Sequence, residues 1–314
     1  MRLPNLLIAA AIAVTTPSAV AEGDAPVKAE LTLPLPVEKL VQKLRPFGNI
    51  QLEYTIEEQD GKGVWQLAER HKVINDLDGG RLRDEAMVNE RGKALTYRIL
   101  NYDGKKMYSM DRSAAFNKDL LFGDSFTDDG TGTVSAMKPG RVEPYLEAFT
   151  GAYSEGRLSQ QLADLTLPRT IFEAGDDARK LMGIHLNGEQ RIIIDPNTGE
   201  LVEKASEVLN QNGGREDFTN LKVTESRLID GRQVPTVFII AANGGAIQKR
   251  FRVDPASIKI NSPIEQDGFN FAFPIGCMVL NHIHKTTYKV TGMDDIDDSK
   301  KLIDALDKLI KEAK

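Results

Sequence analysis

The side chains best suited to chemistry in this chain are few: His71, His185, His282, His284 and the single thiol, Cys277. His282 and His284 stand two apart in a segment of strand-like pattern. That spacing turns both rings to one face and can serve a metal. No H-E-x-x-H helix accompanies them and no third ligand is fixed by spacing, so a satisfied or solvent-facing pair is the expected state, with no metal. Asp294 to Asp298 reads D-D-I-D-D; this is not EF-hand spacing, and an acidic helix start accounts for it. Asn212-Gly213-Gly214 and Asn243-Gly244-Gly245 lack the G-K-[ST] and the strand-to-helix setting of phosphate loops and read as turns. There is no G-x-S-x-G elbow. Cys277 sits in F-P-I-G-C-M-V-L, a context that fits a buried, inert thiol. One cysteine closes no intramolecular disulfide and excludes a cysteine-rich zinc site. No catalytic residue and no cofactor is expected.

What must position these residues is a chain of 314 residues, 41% hydrophobic but only 6% aromatic. That is enough for one large domain or two small ones with a real core, and too apolar for disorder. The net charge of −6, with no long basic block, argues against a nucleic-acid partner. No apolar run approaches the roughly 20 residues of a membrane span.

Residues 1–21 read MRLPNLLIAAAIAVTTPSAVA. Arg2 gives the positive start, Leu6 to Val14 the short apolar run, and Ala19-Val20-Ala21 the small-x-small cleavage site, the pattern of a secretory signal peptide. Its removal takes Arg2 away and brings the net charge from −6 to −7. No Cys follows the cleavage site, so an acylated N-terminus is not expected. A periplasmic or otherwise secreted location is.

Glu22 to Leu35 is Ala/Pro-rich and reads as a linker. Val37, Leu40, Val41 and Leu44 then recur at helical spacing until Pro46. Ile50, Leu52, Tyr54 and Ile56 alternate with polar residues, a half-buried strand closed by the Asp60-Gly61 turn. Short segments of the same kind follow at Val64 to Val73, Gly80 to Val88, Ala94 to Asn101 and Lys106 to Met110, a meander of hairpins. Between about 112 and 180 the strand pattern stops. Asp124 to Gly140 reads as a mobile loop, Val142 to Thr150 and Leu158 to Leu165 as helices, and a helical insert is expected at about 140–180. Strands resume at Arg191 to Asp195, Leu201 to Ala205, Phe218 to Leu228, Gln233 to Ala241 and Ala246 to Ile260, with a last one over 278–290. Leu302, Ile303, Leu306, Leu309 and Ile310 share one face of a predicted amphipathic helix over 291–314, which docks on the body or meets a partner. The layout is α+β: a strongly curved antiparallel sheet, an incomplete β-barrel, with helices lidding its concave face.

Several segments, in order, resemble the LolA/LolB-like periplasmic lipoprotein carriers, and more closely the long LolA-like envelope proteins. They are G-R-L-R-D-E from Gly80, N-Y-D-G-K-K-M-Y-S-M-D from Asn101, R-I-I-I-D-P-N-T-G-E-L-V from Arg191, I-D-G-R-Q-V-P-T from Ile229 and K-I-N-S-P-I-E-Q-D-G-F-N-F-A-F-P from Lys259. Together they cover most of residues 37–290. The resemblance implies an apolar interior for the acyl chains of lipids or lipoproteins, where each CH₂ removed from water contributes about 0.8 kcal/mol. The residues expected to line it are Ile50, Leu52, Tyr54, Ile56, Trp65, Leu67, Phe122, Phe238, Ile240 and Phe251; the alternative is that they fill a closed core. Arg81 and Arg83 are the nearest matches to the family's functional arginine. The chain departs from the carriers in its length, its single Trp and its charged C-terminal tail.

A non-enzymatic exported binding protein for lipid or lipoprotein acyl chains is the reading these observations favour, with a place in lipoprotein sorting in the envelope. The alternatives are an envelope-stress sensor or interaction module of the same fold, contacting an envelope protein through the C-terminal helix, and, less favoured, a metal-dependent hydrolase using His282 and His284.

Overall fold

The computed structural model describes residues 33–291 except 44–47, 90–94, 116–119, 121, 123–125, 138–144, 146–147, 149–151, 154–155, 176–178, 210–214, 243–244 and 266. The expected leader, the C-terminal helix and its D-D-I-D-D start, Asn212-Gly213-Gly214 and most of Asn243-Gly244-Gly245 lie outside the described residues.

Nearly everything described is strand. The first half gives β1 (Asn49–Gln59), β2 (Trp65–Asp76), β3 (Arg81–Asn89), β4 (Leu95–Tyr102), β5 (Met107–Ser113) and β6 (Thr131–Ser135), then a small pair, β7 (Ala152–Tyr153) and β8 (Gly156–Arg157). The second half gives β9 (Arg169–Gly175), β10 (Lys180–Leu186), β11 (Gln190–Asp195), β12 (Glu200–Leu209), β13 (Arg215–Ile229), β14 (Arg232–Ala242) and β15 (Ile247–Val253). The short strands β16 (Lys259–Ile260), β17 (Met278–Asn281) and β18 (Thr286–Lys289) follow. Two helices, α1 (Leu35–Lys43) and α2 (Leu158–Ala163), are described alongside one 3₁₀ turn at Pro255–Ser257.

Sixteen strands form one open sheet in the order β18-β17-β6-β5-β4-β3-β2-β1-β15-β14-β13-β12-β11-β10-β9, with β16 pairing β1. Hairpins connect most neighbours, so the ladder is antiparallel; β17 instead pairs β6 in parallel, because the chain returns to that edge from the far side of β1. The Asp230-Gly231 hairpin shows how tightly turn chemistry sets register. Both residues have positive φ, 49° and 73°, as a two-residue turn matched to strand twist requires.

Cross-strand pairing separates two faces. On one, which we call the inner face, Ile50, Leu52, Tyr54 and Ile56 of β1 meet Val73, Leu82 and Tyr102 from β2 to β4, and Leu221, Phe238, Phe251 and Val253 from β13 to β15, in one buried cluster. β4 and β13 have five strands between them in the sheet, so this one cluster runs across seven neighbouring strands. The same face continues onto β10–β12, where α1 and α2 seat Val37, Leu40 and Leu162 on Ile184, Ile192 and Ile194.

The outer face is apolar at one end as well. Ile99, Met110 and Val134 of β4 to β6 lie beneath Phe271, Phe273, Cys277 and Val279 of the returning C-terminal segment. Gly132 makes that approach possible, since a Cβ there would overlap the Phe273 ring. We expect Gly132→Ala to cost about 1–3 kcal/mol in urea denaturation, because the ring has to leave its packed position.

Three local expectations change. β6 forms within the Gly/Thr/Ser-rich stretch read as a mobile loop because β5 and β17 pair it from outside that stretch, and β9 forms within the expected helical insert as the first half of a hairpin with β10. The single strand expected over 278–290 is the hairpin β17–β18.

Candidate functional site

Among the described residues the inner face carries the largest apolar cluster, built from many strands, and most of the predicted lining residues are on it. Ile50, Leu52, Tyr54, Ile56, Phe238 and Phe251 are buried there, and Ile240 packs against them half-buried. Phe238 and Phe251 stack at 4.8 Å with ring planes 2° apart. Tyr145 and Ala148, from the segment after β6, are buried on top of this surface. Tyr145 tilts over Tyr54 at 5.6 Å, and its hydroxyl accepts a hydrogen bond from Asn75 at 3.1 Å. They are the two described residues of the expected helix over Val142 to Thr150, and both are helical.

Trp65, Leu67 and Phe122 are elsewhere. Trp65 lies under the Arg250 guanidinium, 4.6 Å from it, and Arg250 is bound to Glu57, whose side chain is on the outer face. Leu67 and Phe122 pack with Met87, Leu95 and Leu120. The inward alternation read from the sequence fails here for a local reason. Glu69 pairs Ile56 while Leu67 pairs Glu57, so one extra residue, Ala68, bulges in β2 and shifts everything before it.

A charged row crosses the inner face at the end of the apolar run. His71 of β2 is buried between two carboxylates, Nδ1 at 2.9 Å from Asp84 and Nε2 at 3.0 Å from Glu69, and it stacks on the Tyr54 ring at 4.5 Å. Burial by itself disfavours the imidazolium, but the hydrogen bonds and charges of Asp84 and Glu69 outweigh it and raise the His71 pKa to about 9. Glu69 is correspondingly held below the usual carboxylate range, chiefly by its hydrogen bond to His71 and further by the charges of Lys249 and Arg98. Lys249 lies 2.9 Å from Glu58 and 3.7 Å from Glu69, and Arg98 is 2.8 Å from Asp111. Nothing in the histidine count pointed to this cluster. The usable signal was the alternation itself, which places Glu69 and His71 on the face of Val73.

The other candidates resolve without chemistry. Arg81 holds Asp76 and lies over the Phe269 ring at 4.5 Å, while Arg83 binds Glu85 and the Asn270 carbonyl, so both tie the returning C-terminal segment to the outer face. His282 and His284 are exposed in the turn between β17 and β18, not side by side on a strand. Among the described residues there is no group of three or more His, Cys, Asp or Glu placed to hold a metal ion. Cys277 is buried, and burial raises its thiol pKa. Among the clefts bounded by described residues are one with mixed polar and apolar walls and one with mostly apolar walls. One of about 660 Å³ lies between α1 and the β13–β14 turn, lined by Lys39, Asn197, Glu200 and Asp230 among others. The other, about 280 Å³, lies by Glu53, Arg70 and Arg252.

The fold and site thus define an open, strand-rich single-sheet protein with an apolar inner face and a charged row at one end of it. Among solved structures, the chain is similar to a DUF1329 family protein from Desulfovibrio piger (9% identity, 76% of this chain and 98% of that one, TM-score 0.44). It is also similar to a LolA superfamily protein from Nitrosomonas europaea (12% identity, 75% of this chain and 96% of that one, TM-score 0.41). The second bears the family name that the sequence segments resemble. No protein-family model and no curated protein matches the sequence. At these scores the likenesses speak for no ligand and no site. No described helix is long and apolar enough to cross a membrane.

Proposed function

We propose that this protein is an exported, non-enzymatic carrier that holds the acyl chains of lipids or lipoproteins against the inner face of its curved sheet, in the periplasm or an equivalent extracytoplasmic space. The observation that supports this is the apolar run itself. From Ile50 to Ile56 the inner residues of β1 extend about 20 Å, with Phe238, Ile240 and Phe251 beside them. Acyl chains bind such a surface without a reactive group, because each CH₂ removed from water contributes about 0.8 kcal/mol. On this reading Tyr145 and Ala148, buried over the apolar run, move aside when a chain binds. The site residues on this reading are Ile50, Leu52, Tyr54, Ile56, Phe238, Ile240 and Phe251; Trp65, Leu67 and Phe122, on other surfaces, take no part.

The test is native mass spectrometry of protein purified from its host envelope, followed by lipid extraction and titration of the delipidated protein with a fluorescent fatty acid. Co-purified lipid and saturable uptake are expected. Neither bound lipid nor uptake would end the proposal.

A further inference from the structure

We propose that the charged row of the inner face receives the headgroup of a zwitterionic amphiphile of the phosphoethanolamine type, whose chain lies along the apolar run; this rests on the acyl-binding reading above. The inner positions of β1 are apolar from Ile50 to Ile56 and then change to Glu58, which faces Lys249 of β15. On the other side, Arg98 of β4 is opposite Ala86 of β3, which is opposite His71, and Asp111 of β5 is opposite Arg98. Lys249 and Arg98 therefore approach Glu69 from its two sides, and each has a second carboxylate outboard, Glu58 for Lys249 and Asp111 for Arg98.

Exposure divides this row into a fixed part and an exchangeable part. His71 and Asp84 are buried, and with Glu69 they form a hydrogen-bonded unit of one imidazolium between two carboxylates. The outboard pairs are open to solvent, with side-chain exposures of 36% for Lys249 and 41% for Glu58, and 48% for Arg98 and 51% for Asp111. Ion pairs this exposed contribute little and exchange partners readily. A phosphate that takes a cation from its carboxylate leaves Glu58 or Asp111 uncompensated unless the same headgroup supplies an ammonium. A phosphoethanolamine group supplies both charges on one short linker, and its primary ammonium donates hydrogen bonds to the freed carboxylate. An anion alone strands a carboxylate, and a neutral headgroup gains nothing from the row.

Delipidated full-length mature protein, loaded with a fluorescent fatty acid, is titrated with lysophosphatidylethanolamine, with lysophosphatidylglycerol of the same chain, and with the free fatty acid. Lysophosphatidylethanolamine should displace the probe about three- to fivefold more tightly than lysophosphatidylglycerol. In Arg98→Gln combined with Lys249→Gln that preference should fall to near unity while fatty-acid affinity holds, which also reports that the apolar part is intact. Equal affinity for the two lysolipids, or a preference that survives in the double variant, overturns the headgroup assignment and leaves the acyl site standing. Failure of every ligand, fatty acid included, overturns both.

Discussion

The free energy of unfolding is expected to fall by about 3 kcal/mol as pH rises from about 6.5 to about 9, through the titration of one residue. His71 holds its proton in the folded protein up to about 9, whereas an unfolded histidine releases it near 6.5. Its contribution is therefore complete below pH 6.5 and lost as pH climbs through 9, because unfolding in that window releases a proton that raising the pH draws off. Urea denaturation at pH 6, 7.5 and 9 measures the slope, and His71→Gln should flatten it. The variant should also be destabilised at pH 6 and 7.5, where Asp84 and Glu69 lose the cation between them, and less so at pH 9. A stability that is flat with pH in the unsubstituted protein would contradict the clamp geometry.

Phe238→Ala should cost about 3–5 kcal/mol, enough to threaten folding at physiological temperature. The ring is fully buried where β14 joins the sheet's two halves through β15 and β1, and it lies flat against Phe251. Its removal opens space that neighbours from β1 to β4 and from β13 to β15 cannot fill by moving together, because their backbones are tied into one ladder. Leu228→Ala is the matched control: Leu228 is 71% exposed, and its loss should stay within about 0.5 kcal/mol. Equilibrium urea curves of both variants give the comparison.

The strands that were legible are those with clean alternation. Ile50, Leu52, Tyr54 and Ile56 announce β1, and the Asp60, Asp103 and Asp230 turns bound the hairpins near where they form. α1 was legible from Val37, Leu40 and Val41, since a single apolar stripe at helical spacing has one use. β6 and β9 were not. Thr131 to Ser135 has weak intrinsic preference and is a strand because Met107–Ser113 pairs it on one side and Met278–Asn281 on the other. The site was partly legible for a related reason. Alternation says which residues share a face, but not which face the main core will cover. Over β3 to β6 both faces are apolar, so Tyr97, Ile99 and Met110 belong to the outer packing while Leu100 and Tyr102 belong to the inner.

By itself the sequence determined the period-two segments, their turns, the scarcity of reactive side chains and the apolar character of what had to be buried, all properties of residues near one another in the chain. Only the tertiary structure decided that sixteen strands share one open sheet, that a bulge at Ala68 carries Trp65 and Leu67 off the inner face, and that His282 and His284 fall in a turn. It also decided that His71, Glu69 and Asp84 of two hairpin strands meet Lys249 from a strand far along the chain. The physical reason is range. Propensity and turn chemistry act over a few residues, whereas register between distant strands, the sense of a sheet's curvature and the matching of buried charges are settled only when the whole ladder closes on one core.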